Sequence, residues 1–238
     1  MELGDIPPGR VEYVQTSVAN QVNLVDTTGL TLNMWDGGAV GNKNNGVVDG
    51  GNGVWQTATG GNDNWTASDG ILNAPWQEGA FAIFQAEAGN VTVDNSLGQV
   101  TSSGMQFASD SYVLNGAELS LVETETGSGQ NTVRVGNGSL PGAAYTATID
   151  AILQGDVQLV KTDLGTLVLN GANTYTGGTA INGGTLLITS DSNLGQSDGV
   201  LSFNGGTLAT EAIMSTSRAT LLCTLGGTID IALASPLT

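Results

Sequence analysis

Along residues 164–210 apolar and polar positions alternate with period two. In GTLVLN, Leu167 and Leu169 fall on one face and Val168 on the other. GTLLIT sets Leu186 and Ile188 in the matching places, and GVLSFNGG does the same with Leu201 and Phe203. The pattern recurs. Gly-Thr-Leu starts at Gly165, Gly184 and Gly206, and Gly-Thr-Ile at Gly227, with the threonines 19, 22 and 21 residues apart. Short strands at a period near twenty predict the coils of an all-β solenoid. Stacked in register, they would bring Leu167, Leu186 and Leu208 into successive layers of one interior column. Stability should then build coil by coil, with 161–231 the most stable stretch.

Residue choice follows from that geometry. Each coil must turn several times within about twenty residues, and glycine permits positive-φ turns at low steric cost. Threonine favours strands. Asn170, Asn173, Asn182 and Asn204 sit at predicted turns, where their amides can bond neighbouring backbone. Charge is absent from 164–188 because like charges stacked on adjacent coils repel. No stretch keeps a helical period; the best candidate, EAIMSTSRATLLC at 211–223, also reads as strand and is assigned so. Further strands are predicted between 80 and 170, with less regular coil length. Residues 36–79 are loop-rich and hold all four tryptophans. The chain therefore divides into a loop-rich N-terminal and capping segment, 1–79, and continuous coils, 80–238.

Charge and composition narrow the function. Twenty-two acids face five bases (Arg10, Lys43, Arg134, Lys161 and Arg218), a net charge of −17 with no basic cluster. This argues against nucleic acid and anionic membrane surfaces as partners. There is no histidine, which removes the usual general base and commonest metal ligand. The one cysteine, Cys223, lies in an apolar run and is expected to be a small buried hydrophobe. Scarce cysteine with abundant Gly, Thr and Asn suits a surface protein exported unfolded. No apolar run approaches the roughly 20 residues of a spanning helix. MELGDIPPGRVEYV lacks the basic and apolar regions of a signal peptide, so two expectations stand: the protein stays inside the cell, or the chain is a piece of a longer precursor. A last coil cut after GGTIDI would leave unpaired backbone and weak self-association, with Pro236 placed to blunt it.

GTLVLNGANTYTGGTAINGGTLLI, with the following NLGQSDGVLSFNGGTL, resembles the passenger-associated transport repeat of Gram-negative autotransporters, the type V secretion proteins. Gly165, Thr166, Leu167, Leu169, Gly171, Asn173, Tyr175, Gly177, Gly178, Thr179, Gly183, Gly184, Thr185 and Leu186 fall where that repeat places them, and one repeat covers about 161–210. Upstream, WDGG, GNGVWQT, DNWT and SYVLNGAELSL are similar to segments that precede the repeat in large passengers. The resemblance implies a right-handed parallel β-helix (β-solenoid), carried across the outer membrane and displayed on the cell surface or secreted. It implies an outer-membrane β-barrel translocator in the full-length protein, and a repeat that supports folding during export.

Candidate chemistry is sparse. Trp35, Trp55, Trp65 and Trp76, set among Gly, Asn and Asp, are the candidate binding residues, since aromatics with polar neighbours stack on sugars or anchor protein contacts. The competing expectation is that they close the open end of the solenoid. Glu123 and Glu125, read as alternating on a strand, would lie about 7 Å apart on one face, near the separation used in glycoside hydrolysis. Asp63 and Asp69 are the other close acids. GGNGVWQTA begins like a Ca²⁺-binding nonapeptide, but Trp55 stands where its aspartate should be, so no metal or other cofactor is expected. The expected function is a stiff, non-enzymatic structural and adhesive scaffold that attaches to a host-cell or matrix component, protein or glycan. The alternative is a polysaccharide hydrolase or lyase on the same fold.

Overall fold

The structure, a computed structural model, describes residues 12–15, 22–27, 31–57 and 61–231; Arg10 and Pro236 lie outside them. Among these residues there is no α-helix, only strands and three short 3-10 turns. Glu12–Gln15 and Asn23–Asp26 form an antiparallel pair. Apart from Met34–Trp35, Trp65–Thr66 and Asn73–Ala74, which meet antiparallel at one end of the ten-stranded sheet, the rest is a parallel β-solenoid, in which each coil adds one strand to each of two long sheets. In the ten-stranded sheet, Phe81–Phe84, Gly104–Phe107, Gln130–Val135, Gln158–Thr162, Thr179–Ile181, Leu201–Phe203 and Thr220–Leu222 stack in parallel. The eight-stranded sheet runs from Gly53–Trp55 to Thr228–Ile231. A third, narrower side is made by Thr101–Ser102, Leu119–Leu121 and Leu153–Gln154.

The register is the one the spacing predicts. Leu167 is level with Leu186, Leu186 with Leu208, and Leu208 with Ile229. Thr146, Thr166, Thr185, Thr207 and Thr228 form a parallel outer line. Inward residues are buried and outward ones half-exposed, giving alternating burial at Thr166–Leu169, Thr185–Ile188 and Thr207–Thr210. Strand residues buried on one face only read as this alternation. Gly184 shows why the corner needs glycine: φ is +61°, and a Cβ would overlap the Gly165 carbonyl of the coil below.

Asparagines join coils through the third side. Asn173 accepts from the Leu153 amide at 2.8 Å and donates to the Asn193 carbonyl at 2.6 Å. Asn193 in turn donates to the carbonyls of Asn170 and Gly171. Both are buried, and pairing them offsets a desolvation cost that an unpaired amide would carry in full.

Two buried cations do similar work at corners. Lys161 occupies an inward position, level with Val133 and Ile181, and is fully buried. Its stem fills the apolar column while Nζ donates to the carbonyls of Thr162, Asp163 and Gly183, at 2.8, 3.0 and 3.1 Å. Arg218 donates to the carbonyls of Asp191, Gly195, Gln196 and Gly199 and pairs with the Asp191 carboxylate at 2.9 Å.

Two expectations change here. Only Thr220–Leu222 of the 211–223 stretch is a strand; 211–219 is irregular, because it must cross to the position from which Arg218 clamps the 191–199 turn. Cys223 is exposed rather than buried. Its coil keeps register, but no described coil lies over it, so Leu221, Leu222, Leu225, Ile229 and Ile231 are exposed as well.

Leu186→Ala should cost about 2–5 kcal/mol, as an interior truncation does. Leu187→Ala, on the outer face, should cost under about 1 kcal/mol. Equal losses in denaturant melts would refute the register. A second expectation concerns Lys161, whose amine burial lowers to about 8 from 10.5, against the attraction of Asp163. Between those values the unfolded chain keeps a proton that the folded chain has released, so stability rises with pH across that window. Below it both states are protonated and the cost of burying the ammonium is complete. Relative to Lys161→Met, the native chain should gain stability between about pH 8 and about pH 10. Identical pH slopes in guanidinium titrations of the two proteins would contradict this.

Candidate binding surface

The four tryptophans come together, but inward. Trp35 pairs across an antiparallel bridge with Trp65, whose strand pairs with Asn73–Ala74. Trp55 is level with Val93 at the start of the eight-stranded sheet. Ring centroids lie 5.1 Å apart for Trp35–Trp65, 5.0 Å for Trp55–Trp65, 4.9 Å for Trp55–Trp76 and 4.3 Å for Trp65–Trp76. Phe84 sits beneath this layer and stacks on Phe107 at 4.9 Å. Mostly edge-to-face contacts of this kind each add about 0.5–1.5 kcal/mol beyond area burial. All four indoles are 0% exposed, so none offers a face to a sugar or a partner. They cover the first parallel strands of the apolar column, where an open end would otherwise meet water. The eight-stranded sheet already begins at Gly53, within the loop-rich 1–79 segment, so the tryptophan layer and the coils share hydrogen bonds across residue 80.

A polar network backs the tryptophans. Lys43 donates to the carbonyls of Gly37 and Asp63 and to Asn64 Oδ1, at 2.8, 2.9 and 2.7 Å. The Asp36 carboxylate accepts from the Asp49 amide and from Asn73 Nδ2, both at 2.7 Å. Burial pushes the Asp36 carboxyl up, against these hydrogen bonds. It pushes the Lys43 amine down, against the charges of Asp63 and Asp36. These groups are hydrogen-bonded within the fold, as buried polar groups must be to offset their desolvation. Gly37 is at φ +71°, and a Cβ there would overlap the Gly50 carbonyl, so only glycine lets these two loops approach so closely.

The candidate acids Asp63, Asp69, Glu123 and Glu125 lie in loops and turns rather than along a strand. Residues 122–129 are a loop, not a strand, which removes the alternation that would align Glu123 and Glu125. Both Glu123 carboxylate oxygens accept backbone amides, from Gly127 and Gly129, so this side chain closes the loop on itself. Asp63 is buried and accepts from Gln15 Nε2 at 2.9 Å, and Asp69 accepts from the Ile71 amide two residues on. Among the described residues no group of three acids and cysteines is placed to hold a metal.

The surface features that stand apart are two inserted loops around one strand. Corners between the two long sheets take three residues at 163–165, 182–184 and 204–206, but ten at 136–145. Corners leading into the ten-stranded sheet take one residue at 103 and three at 155–157, but eight at 122–129. Both insertions flank Gln130–Val135. Neither is slack. Thr124 Oγ1 accepts from the Thr132 amide at 2.8 Å and donates to the Ser103 carbonyl, tying the first loop to two coils. In the second, Pro141 starts a 3-10 turn and Asn137 binds Ser139 and the Tyr145 hydroxyl. Outward from the strand stand Gln130, Thr132 and Arg134. A depression of about 180 Å³ lies between Thr124, Glu125 and Ser128 on the loop and Gln130 and Thr132 on the strand. A smaller one, about 80 Å³, lies at the other end, against Gly138, Ser139, Asp163 and Leu164. Arg134 Nε pairs with Asp163 at 3.0 Å. The sequence signal for this surface was the uneven coil length between 80 and 170, which pointed to loops without saying that both border one strand.

Residues 159–188 match the passenger-associated transport repeat. Over 226 residues the chain is 52% identical to a protein of Brucella suis biovar 1 (strain 1330) named as the adhesin BmaC autotransporter. That similarity takes in 95% of this chain and 6% of the relative, so the chain spans a small fraction of the relative's length. No solved structure matches.

Trp65→Ala should destabilise the fold by about 3–5 kcal/mol, as large aromatic truncations in cores do. In the native chain, tryptophan emission should be blue-shifted and poorly quenched by acrylamide. Ready quenching without unfolding would mean that the indoles are solvent-facing.

Proposed function

We propose that this chain, which carries an autotransporter passenger-associated transport repeat, is one stretch of a surface-displayed adhesive scaffold: a stiff solenoid that holds binding loops away from the bacterial envelope. The observation that carries the reading is the contrast between a regular stack and two ordered, outsized loops on one coil. A stack of identical coils gives reach, and insertions on a single side of a solenoid are where such proteins place recognition. The name of the Brucella relative, an autotransporter adhesin, supports the same reading. In the full-length protein a β-barrel translocator would deliver the passenger to the cell surface or medium of a Gram-negative bacterium, and the repeat would help the emerging chain fold outside. The partner is a host-cell or matrix component.

A polysaccharide-cleaving role has less support. The carboxylate that would serve as one half of a catalytic pair, Glu123, already holds its own loop, each oxygen accepting one backbone amide. Net charge of −17 likewise favours a neutral or basic partner over an anionic one.

Beads coated with the 238-residue chain should bind mammalian cells or matrix saturably, and the chain should release no new ends from a panel of polysaccharides with or without Ca²⁺. Turnover abolished by Glu123→Gln would reverse the assignment.

A further inference from the structure

Resting on the adhesive reading, we propose that the outer face of Gln130–Val135, walled by loops 122–129 and 136–145, is a binding trough for a neutral oligosaccharide. The class of ligand follows from what the trough offers. Its floor is made of amides, a hydroxyl and a guanidinium: Gln130, Thr132 and Arg134 from the central strand, with Gln106 and Gln158 on its neighbours. Gln130 Nε2 donates to Gln158 Oε1 at 3.2 Å and Gln106 Nε2 to the Gly136 carbonyl at 3.0 Å, which leaves Gln130 Oε1, Gln106 Oε1, Gln158 Nε2 and Thr132 Oγ1 for a ligand. Amides and hydroxyls both donate and accept, as sugar hydroxyls do. The six-residue strand spans roughly 20 Å, room for several sugar rings laid along it.

Other occupants fit less well. An extended peptide binds a sheet by adding a strand to an open edge. Here the central strand is already paired on both sides, with Gly104–Phe107 and Gln158–Thr162, so its backbone is not free. A strongly anionic ligand would meet a chain of net charge −17, and Arg134, the cation of the floor, already pairs with Asp163. The loops are also built rather than loose. Glu123 holds the Gly127 and Gly129 amides, and Asn137 and Pro141 order the opposite wall, so little chain entropy remains to be lost on binding. The depression between Thr124 and Thr132 would seat one ring, and exposed Leu140 and Leu164 at the far end would meet the apolar face of another.

The test is saturation-transfer NMR on the 238-residue chain with maltotetraose, cellotetraose, chitotetraose, a sialylated tetrasaccharide and a sulfated one. At least one neutral tetrasaccharide should bind saturably. Thr132→Val and Gln130→Ala should each weaken it about fivefold, the loss of about one hydrogen bond. Ser202→Ala, outward on a distant coil, should leave binding unchanged, and thermal melts should show all three variants folded. Binding confined to the charged sugars, or unaffected by Thr132→Val and Gln130→Ala, would overturn the assignment. So would absence of sugar binding by a chain that still coats beads and attaches to cells, in which case the adhesive reading survives without this trough. Failure of both sugar binding and cell attachment would overturn both.

Discussion

No coil of this molecule can satisfy its own backbone. Each strand donates to and accepts from the coils on either side, as Thr166–Leu169 does with Thr146–Ile149 and Thr185–Ile188. The unit that must be stable is therefore the stack, and a coil is held by its neighbours. Everything else follows from keeping successive coils level. Leucines must meet leucines inside, glycines must turn the corners at Gly184 and its equivalents, and no like charges can be stacked on the outer faces.

The cations show how strict that requirement is. Corner carbonyls face the interior where strands end, and they need donors. Lys43, Lys161 and Arg218, all buried, each serve three or more acceptors, so three of the five bases are used inside. A fourth, Arg134, pairs with Asp163. The acids remain largely outside. The strongly negative surface is thus partly a consequence of spending positive charge on backbone, and it limits which partners can approach.

Corners differ from strands in what they tolerate. A strand that slipped by one residue would turn its inward face outward. A corner can lengthen without disturbing register, provided its ends return to the same place. The loops at 122–129 and 136–145 do this, and Thr124 and Asn137 anchor them so that Gln130–Val135 keeps its partners. Recognition can therefore vary at the corners while the stack stays constant, which connects the adhesive reading to the physics of the fold.

The period near twenty and the alternation of Leu167, Val168 and Leu169 were enough to determine parallel coils and their register, because a two-residue pleat leaves one arrangement that buries every inward leucine. The motif around 164–188 likewise pointed to the passenger repeat. Local pattern could not place residues whose environment comes from far along the chain. Four tryptophans in loop-rich sequence are compatible with a sugar platform or a buried layer, and only the packing against Phe84 decided for burial. Cys223, in an apolar run, reads as core, yet it is exposed because burial depends on a coil lying above it. The ETET stretch reads as a strand until the amides of Gly127 and Gly129 claim the carboxylate of Glu123. Periodicity determined what repeats, since repetition is local; tertiary structure decided what does not repeat, because those residues are defined by partners that sequence spacing does not name.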